Sequence, residues 1–162
     1  CFSPSSRRNK HCIYTMCKRF ENTGKHISPE LAEEICRLVD NHSSYVQQLS
    51  WLLWIRTINT ATTEQLSYAL EDLLDQNNIL FQSETENLSA YQMNFLKAIV
   101  DGIHTKFSSK EVISKYNLGT SANIVRLKNA LLQKELIETN GKEIVLADPV
   151  FEVWFKKERL SS

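Results

Sequence analysis

Apolar residues recur at three- and four-residue spacing along most of the chain, and the polar breaks between these stretches carry residues that start and stop helices. Ser28-Pro29-Glu30 opens the first clear stretch. Serine caps, proline suits the first helical position, and Glu30, Glu33 and Glu34 favour the positive end of the helix dipole. Leu31, Ile35, Leu38 and Val39 then form one stripe, predicted to stop near Asn41-His42. A second helix is predicted over 44–57. Val46, Leu49, Leu52, Leu53 and Trp54 give it a wide apolar face, and Trp51 and Ile55 extend apolarity around the cylinder, so it is expected to be central and buried on several sides. Thr62-Thr63-Glu64-Gln65 has the form of a capping box, and Leu66, Ala69, Leu70, Leu73 and Leu74 carry a third helix toward Phe81. Three antiparallel helices with short loops make a small bundle. The polar stretch 83–87 reads as the join between this bundle and a second folded region.

The second region has a different order. Ser89 and Gln92 form another capping box, with Leu88 and Met93 placed as a hydrophobic staple, ahead of an apolar face of Tyr91, Phe95, Leu96, Ile99 and Val100. A short helix comes next, with Ser108 as its expected cap, Glu111 completing the box and Phe107 stapling to Val112; it ends near Tyr116-Asn117. Leu118-Gly119-Thr120-Ser121 is a tight turn into a helix over 121–134. Ile124, Leu127 and Leu131 face inward, and Ala122, Arg126, Asn129 and Gln133 cluster on the opposite face. Strands at 136–139 and 143–146 flank Asn140-Gly141, a strong hairpin signal. Asp148-Pro149 then starts a closing helix. Three helices, a hairpin and a closing helix in this order define a winged helix-turn-helix domain. The fold class expected is therefore mainly α, a three-helix lid-like bundle over 19–85 followed by a winged helix domain with a small β-hairpin over 88–160. Residues 1–18 have no period and are expected to be a disordered or scar-like tail.

Composition changes this picture little. Of 162 residues, 42% are hydrophobic and 23% charged, as in ordinary folded domains, and no apolar run approaches a membrane span. A cytoplasmic setting with no membrane contact is the expectation. Charge is unevenly spread although the total is zero. Residues 1–25 hold six Lys/Arg against one acid, residues 26–88 two against ten, and residues 89–162 eleven against eight. An acidic middle repels DNA, whereas the last third tolerates it. Cys1, Cys12, Cys17 and Cys36 suggest no disulfide framework, and His11-Cys12 with Cys17 fits no standard zinc spacing, so free thiols and no metal are expected.

The chain contains no G-x-x-x-x-G-K-[ST] loop and four glycines in all, so it is not expected to hold a nucleotide phosphate by itself. No G-x-S-x-G elbow or paired carboxylates suggest catalysis either, and the chain as it stands is read as not an enzyme. On the 121–134 helix, Arg126 has the chemistry to read guanine, and Asn129 or Gln133 to read adenine. Phosphate neutralisation normally draws on several Lys/Arg, here Lys110, Lys115, Lys128 and the wing residue Lys142. Both double-stranded DNA and another protein are candidate partners for this face.

An ordered set of segments carries a family resemblance. These are Lys18-Arg19-Phe20 with Thr23-Gly24-Lys25, then 38–49 from Leu38-Val39-Asp40-Asn41-His42 to Gln47-Gln48-Leu49, then Leu73-Leu74-Asp75-Gln76-Asn77. Asn94-Phe95-Leu96-Lys97-Ala98-Ile99, Leu118-Gly119-Thr120-Ser121-Ala122-Asn123 and Asp148-Pro149-Val150-Phe151-Glu152 complete it. With them the chain resembles the C-terminal part of the archaeal-type AAA ATPases, a prokaryotic P-loop family related to AAA+ and STAND switch ATPases. The resemblance implies a helical lid followed by a winged helix. It also implies a P-loop ATPase core as partner, with ATP and magnesium bound by a full-length relative rather than by this chain. It places His42, Tyr45 and Arg56 beside the nucleotide, Arg56 as the lid arginine that senses the γ-phosphate. One departure stands out: where the family reads His-Pro-Tyr-Tyr, this chain reads His42-Ser43-Ser44-Tyr45, and the stiffening proline is gone. The implied role is that of a non-catalytic C-terminal regulatory region of an ATP-binding switch protein. The alternative is a stand-alone winged-helix DNA-binding regulator. The Walker segments would precede residue 1, so the chain is expected to be either an excised fragment or a truncated gene product.

Overall fold

The structure, a computed structural model, describes residues 4–161, with side chains from residue 7 onward. Among these the chain forms eight helices and one two-stranded hairpin, and it divides into two compact units, 1–78 and 79–162.

The first unit holds α1 (Pro4–Asn22), α2 (Pro29–Leu38), α3 (Ser43–Arg56) and the larger part of α4 (Thr63–Glu86). The α1 helix corrects the expectation of a disordered tail over 1–18. Residues 4–18 are helical, and residues 1–3 lie outside the described residues. The physical reason is at its C-terminal end, where Met16 and Phe20, four residues apart, are buried and give this polar helix an anchoring face. The start of α2 follows the sequence closely: Ser28 Oγ accepts from the Leu31 amide at 3.1 Å, with Pro29 at the first helical position. So does α4, where Thr62 and Gln65 exchange both bonds of a capping box at 3.1 and 3.2 Å. Core side chains come from all four helices, among them Phe20, Ile35, Leu49, Leu53, Leu66 and Leu73. The two loops are tied together where the His26 amide donates to the Asn59 carbonyl and the Ala61 amide to the His26 carbonyl, each at 2.8 Å.

In α3, burial is confined to Val46, Leu49, Leu52 and Leu53. Trp51 is 58% exposed and Ile55 50%, so this helix is not enclosed on several sides as its composition suggested. An apolar residue on the far side of a helix need not meet a partner, and here it does not.

The second unit contains the end of α4, then α5 (Ala90–Val100), α6 (Lys110–Tyr116), α7 (Ser121–Gln133), β1 (Ile137–Asn140), β2 (Glu143–Leu146) and α8 (Pro149–Ser161). The polar stretch 83–87, expected as a linker, is mostly the last turn of α4. Nothing in it forbids helix, since it lacks glycine and proline, and Asn87 Nδ2 donates back to the Ser83 carbonyl at 2.9 Å. Phe81, 1% exposed, sits in this unit's core, edge-on to Phe151 at 5.3 Å and 5.6 Å from Trp154.

Ser89 and Gln92 form the expected capping box at the start of α5. At α6 the cap is Ser109, whose Oγ accepts from the Val112 amide at 3.3 Å, one residue later than the sequence suggested. Phe107 is drawn into the core, where its ring stacks on Phe95 at 4.5 Å, and the helix start shifts with it. The strands pair antiparallel with Ile137 opposite Leu146 and Asn140 opposite Glu143. The two-residue turn is therefore Gly141-Lys142. Gly141 supplies φ +63° at the first central position, which primed hairpin turns require, while Asn140 is still in the ladder. His104, before α6, adds a further pairing to β2: the Ile144 amide donates to its carbonyl at 2.9 Å, and its Nδ1 lies 3.0 Å from the Ile144 carbonyl oxygen. Asp148 caps α8, with Oδ1 accepting from the Val150 and Phe151 amides at 2.8 and 3.0 Å.

Candidate functional site

The turn between α2 and α3 is built from two residues in the left-handed region, Asp40 at φ +49° and Asn41 at φ +57°. Short polar side chains of this kind tolerate that region best among residues other than glycine. His42 follows as the N-cap of α3, its carbonyl accepting from the Val46 amide at 2.9 Å, and its side chain makes no capping bond. The imidazole lies instead 4.8 Å from the Tyr45 ring, tilted by 44°. His42 is exposed and Tyr45 half-buried. Ser43, where the resembling family has proline, is the first residue of α3. A proline fits there without loss, because that amide has no intrahelical acceptor, so the serine leaves the backbone path possible and only less rigid.

Arg56 is at the other end of α3, thirteen residues after Ser43 and so about 20 Å along the axis. The structure thus brings His42 and Tyr45 together and leaves Arg56 apart from them. Its guanidinium forms a two-pronged bond with Asp72 of α4, Nε at 2.7 Å and Nη2 at 2.9 Å, and lies 5.6 Å from the Tyr68 ring centre. The bond to Asp72 holds the guanidinium more firmly protonated than an arginine already is. Asp72 is sixteen residues away in sequence, and no local pattern pointed to it.

On the second unit, α7 is the third helix of the domain and presents Ala122, Arg126, Asn129 and Gln133 along one exposed face, at i, i+4, i+7 and i+11. Thr120 caps it, and Asn123 Nδ2 donates to the Leu118 carbonyl at 3.0 Å, fixing the turn from α6. Val125, beside Arg126, is 61% exposed. The sequence reading missed it, although its place on the helical wheel, off the Ile124-Leu127-Leu131 stripe, was signal enough. Arg126 is the cation on α7's exposed surface, and half-buried Lys128 flanks the core side. Lys142 is exposed at the tip of the hairpin, with exposed Glu143 next to it and Glu138 on the paired strand. Among the described residues, no group of three or more His, Cys, Asp or Glu is arranged to hold a metal ion, and no helix is long and apolar enough to cross a membrane.

Residues 79–157 match the family model described as a probable winged helix domain, a match that begins at the first residue of the second unit. The second unit is a winged helix domain. Among solved structures, the chain is similar to a Walker-type ATPase of Pyrococcus abyssi, with a TM-score of 0.68 and 18% sequence identity. The likeness covers 96% of this chain and 42% of that one, so the chain corresponds in fold to less than half of the ATPase's length. A search of curated proteins found no match.

Proposed function

We propose that the chain is the C-terminal regulatory region of an ATP-binding switch protein, a lid-like bundle followed by a winged helix that docks on protein rather than on DNA. The fold likeness to part of a Walker-type ATPase over 96% of the chain supports the first half of this reading. The face of α7 carries the second half. Its exposed surface offers one cation, Arg126, beside the exposed apolar Val125, whereas a duplex-binding face neutralises several phosphates with Lys and Arg. The wing adds Lys142 but flanks it with Glu143.

In this role the chain is not itself a catalyst. ATP and magnesium belong to a P-loop core, which is also the first partner. Nucleotide-dependent movement of that core against the bundle is the bistable element. His42 and Tyr45, paired at the α2–α3 turn, are the side chains offered toward a nucleotide. Arg56 holds Asp72 and is the weaker candidate.

Two titrations test the reading. Calorimetry of the chain with ATP and Mg²⁺ is expected to show no micromolar binding, and a magnesium-dependent micromolar site would overturn the claim that the phosphate cradle lies elsewhere. Labelled duplex at about 50 and about 200 mM salt is expected to show no saturable binding. Tight binding that collapses by ~10³-fold or more at the higher salt would establish the DNA regulator instead.

A further inference from the structure

Within the first unit, α1 and α3 line a groove of about 760 Å³. Cys12, Met16 and Phe20 from α1 and Val46, Ser50 and Trp54 from α3 line it, each set at the four-residue spacing of one helical face, together with the exposed Trp51. The charged part of the described lining has one sign: Arg8 and Arg19 are present, and there is no Asp or Glu. Neither Arg8 nor Arg19 is in an ion pair among the described residues, although such pairs occur elsewhere in the chain. A third observation is independent of charge. Asn9, also in the lining, keeps its side-chain oxygen buried with no hydrogen-bond partner among the described residues. An unsatisfied buried polar atom is costly, and here a polar group of the lining stands without a partner among the described residues.

We propose that this groove is a binding site for an amphipathic organic carboxylate, its apolar body between α1 and α3 and its head group on one of the two arginines, which stand about 16 Å apart along α1. Sites for small ligands occupy about 300–1,000 Å³, are lined mainly by apolar and aromatic side chains, and are oriented by a few polar groups. The groove has the volume, and its exposed lining surface is mostly apolar, with polar side chains interspersed. Among the described lining residues no acid is present to pair with a cation, and a guanidinium without an ion pair favours an anion, which it binds in a two-pronged manner. This inference is independent of the switch reading, since none of its residues is a proposed nucleotide neighbour.

The test uses the full chain and dodecanoate below its micelle concentration, followed by calorimetry and by the emission of Trp51 and Trp54. Saturable one-to-one binding in the micromolar range is expected. The double variant Arg8→Gln, Arg19→Gln should bind roughly tenfold more weakly, the loss that one charge-assisted hydrogen bond represents. Both side chains are exposed, so folding is not at stake, and circular dichroism checks it. Ser50→Phe, which fills the groove from the α3 side, should abolish binding. 1-Dodecanol should bind at least as weakly as dodecanoate binds the double variant. No saturable binding of dodecanoate, equal binding by the double variant, or equal binding of the alcohol would each overturn the proposal.

Discussion

Cys36 illustrates how strongly a single position is governed by its surroundings. It is 1% exposed, and burial, followed by the neighbouring Cys12 thiol, pushes its own thiol up to about 12. Cys17 is also raised, first by burial, and its Sγ donates to the Ile27 carbonyl at 3.7 Å. A thiol that stays protonated is a poor nucleophile. Iodoacetamide at pH 8 should therefore leave Cys36 unmodified in the native chain and modify it in denaturant, with peptide mapping as the readout. Labelling of native Cys36 as fast as that of half-buried Cys12 would contradict the burial. The same shift has a sign for folding. The unfolded thiol ionises near ~8.5 and the folded one near about 12, so stability is intact below the first value and declines as pH rises toward the second. Asp101 works the other way. Its bond from Arg159 at 2.8 Å holds its carboxyl below the usual range, so what that pair contributes is present at neutral pH and fades as acid protonates it. Both partners are about a third exposed, which limits the contribution to ~1 kcal/mol or less. A urea-midpoint comparison of Asp101→Asn with the parent at pH 7 and pH 3 should show a small deficit that vanishes in acid.

Helix starts are the elements on which sequence and structure can be compared most sharply. Ser109 rather than Ser108 accepts the amide bond of α6, so Ser109→Ala should cost about 1 kcal/mol and Ser108→Ala close to nothing in thermal melts. The reverse ranking would place the start of α6 one residue earlier. Four other starts were legible from the chain, at Ser28, Thr62, Ser89 and Asp148, because each cap acts within three residues of itself. The α6 start was not, because the tertiary stacking of Phe107 on Phe95 decides between two adjacent serines. The hairpin follows the same logic: Asn140-Gly141 marked its place, while the ladder from Ile137 to Leu146 set the turn one residue later. Long-range features were the least legible. A polar α1 is held by two apolar side chains four residues apart, too few to register as a period. Trp51 was misplaced because composition shows that a residue is apolar and not whether a partner meets it. At the candidate site, the α7 face could be read from helical periodicity alone. The engagement of Arg56 by Asp72 could not, since the pairing crosses from α3 to α4.

At the scale of the molecule, the consequential difference lies at the start of the winged helix domain. Periodicity put it at 88, after a polar join, whereas the compact unit and the family match both begin at 79. The nine extra residues include Phe81, whose ring meets Phe151 and Trp154 and is 1% exposed. Removing a buried phenylalanine side chain costs about 3–5 kcal/mol, and a domain of this size holds roughly 5–15 kcal/mol in all, at the low end when small. The boundary is therefore a matter of folding and not of definition. A fragment of residues 79–162 should melt cooperatively, and a fragment of residues 88–162 should give a broad, weak transition in calorimetry. Phe81→Ala in the longer fragment should reproduce most of that loss, whereas Gln82→Ala, one position on and exposed, should not. If residues 88–162 melt as sharply and as high as residues 79–162, the last turns of α4 are dispensable to the domain, and its core is complete without Phe81.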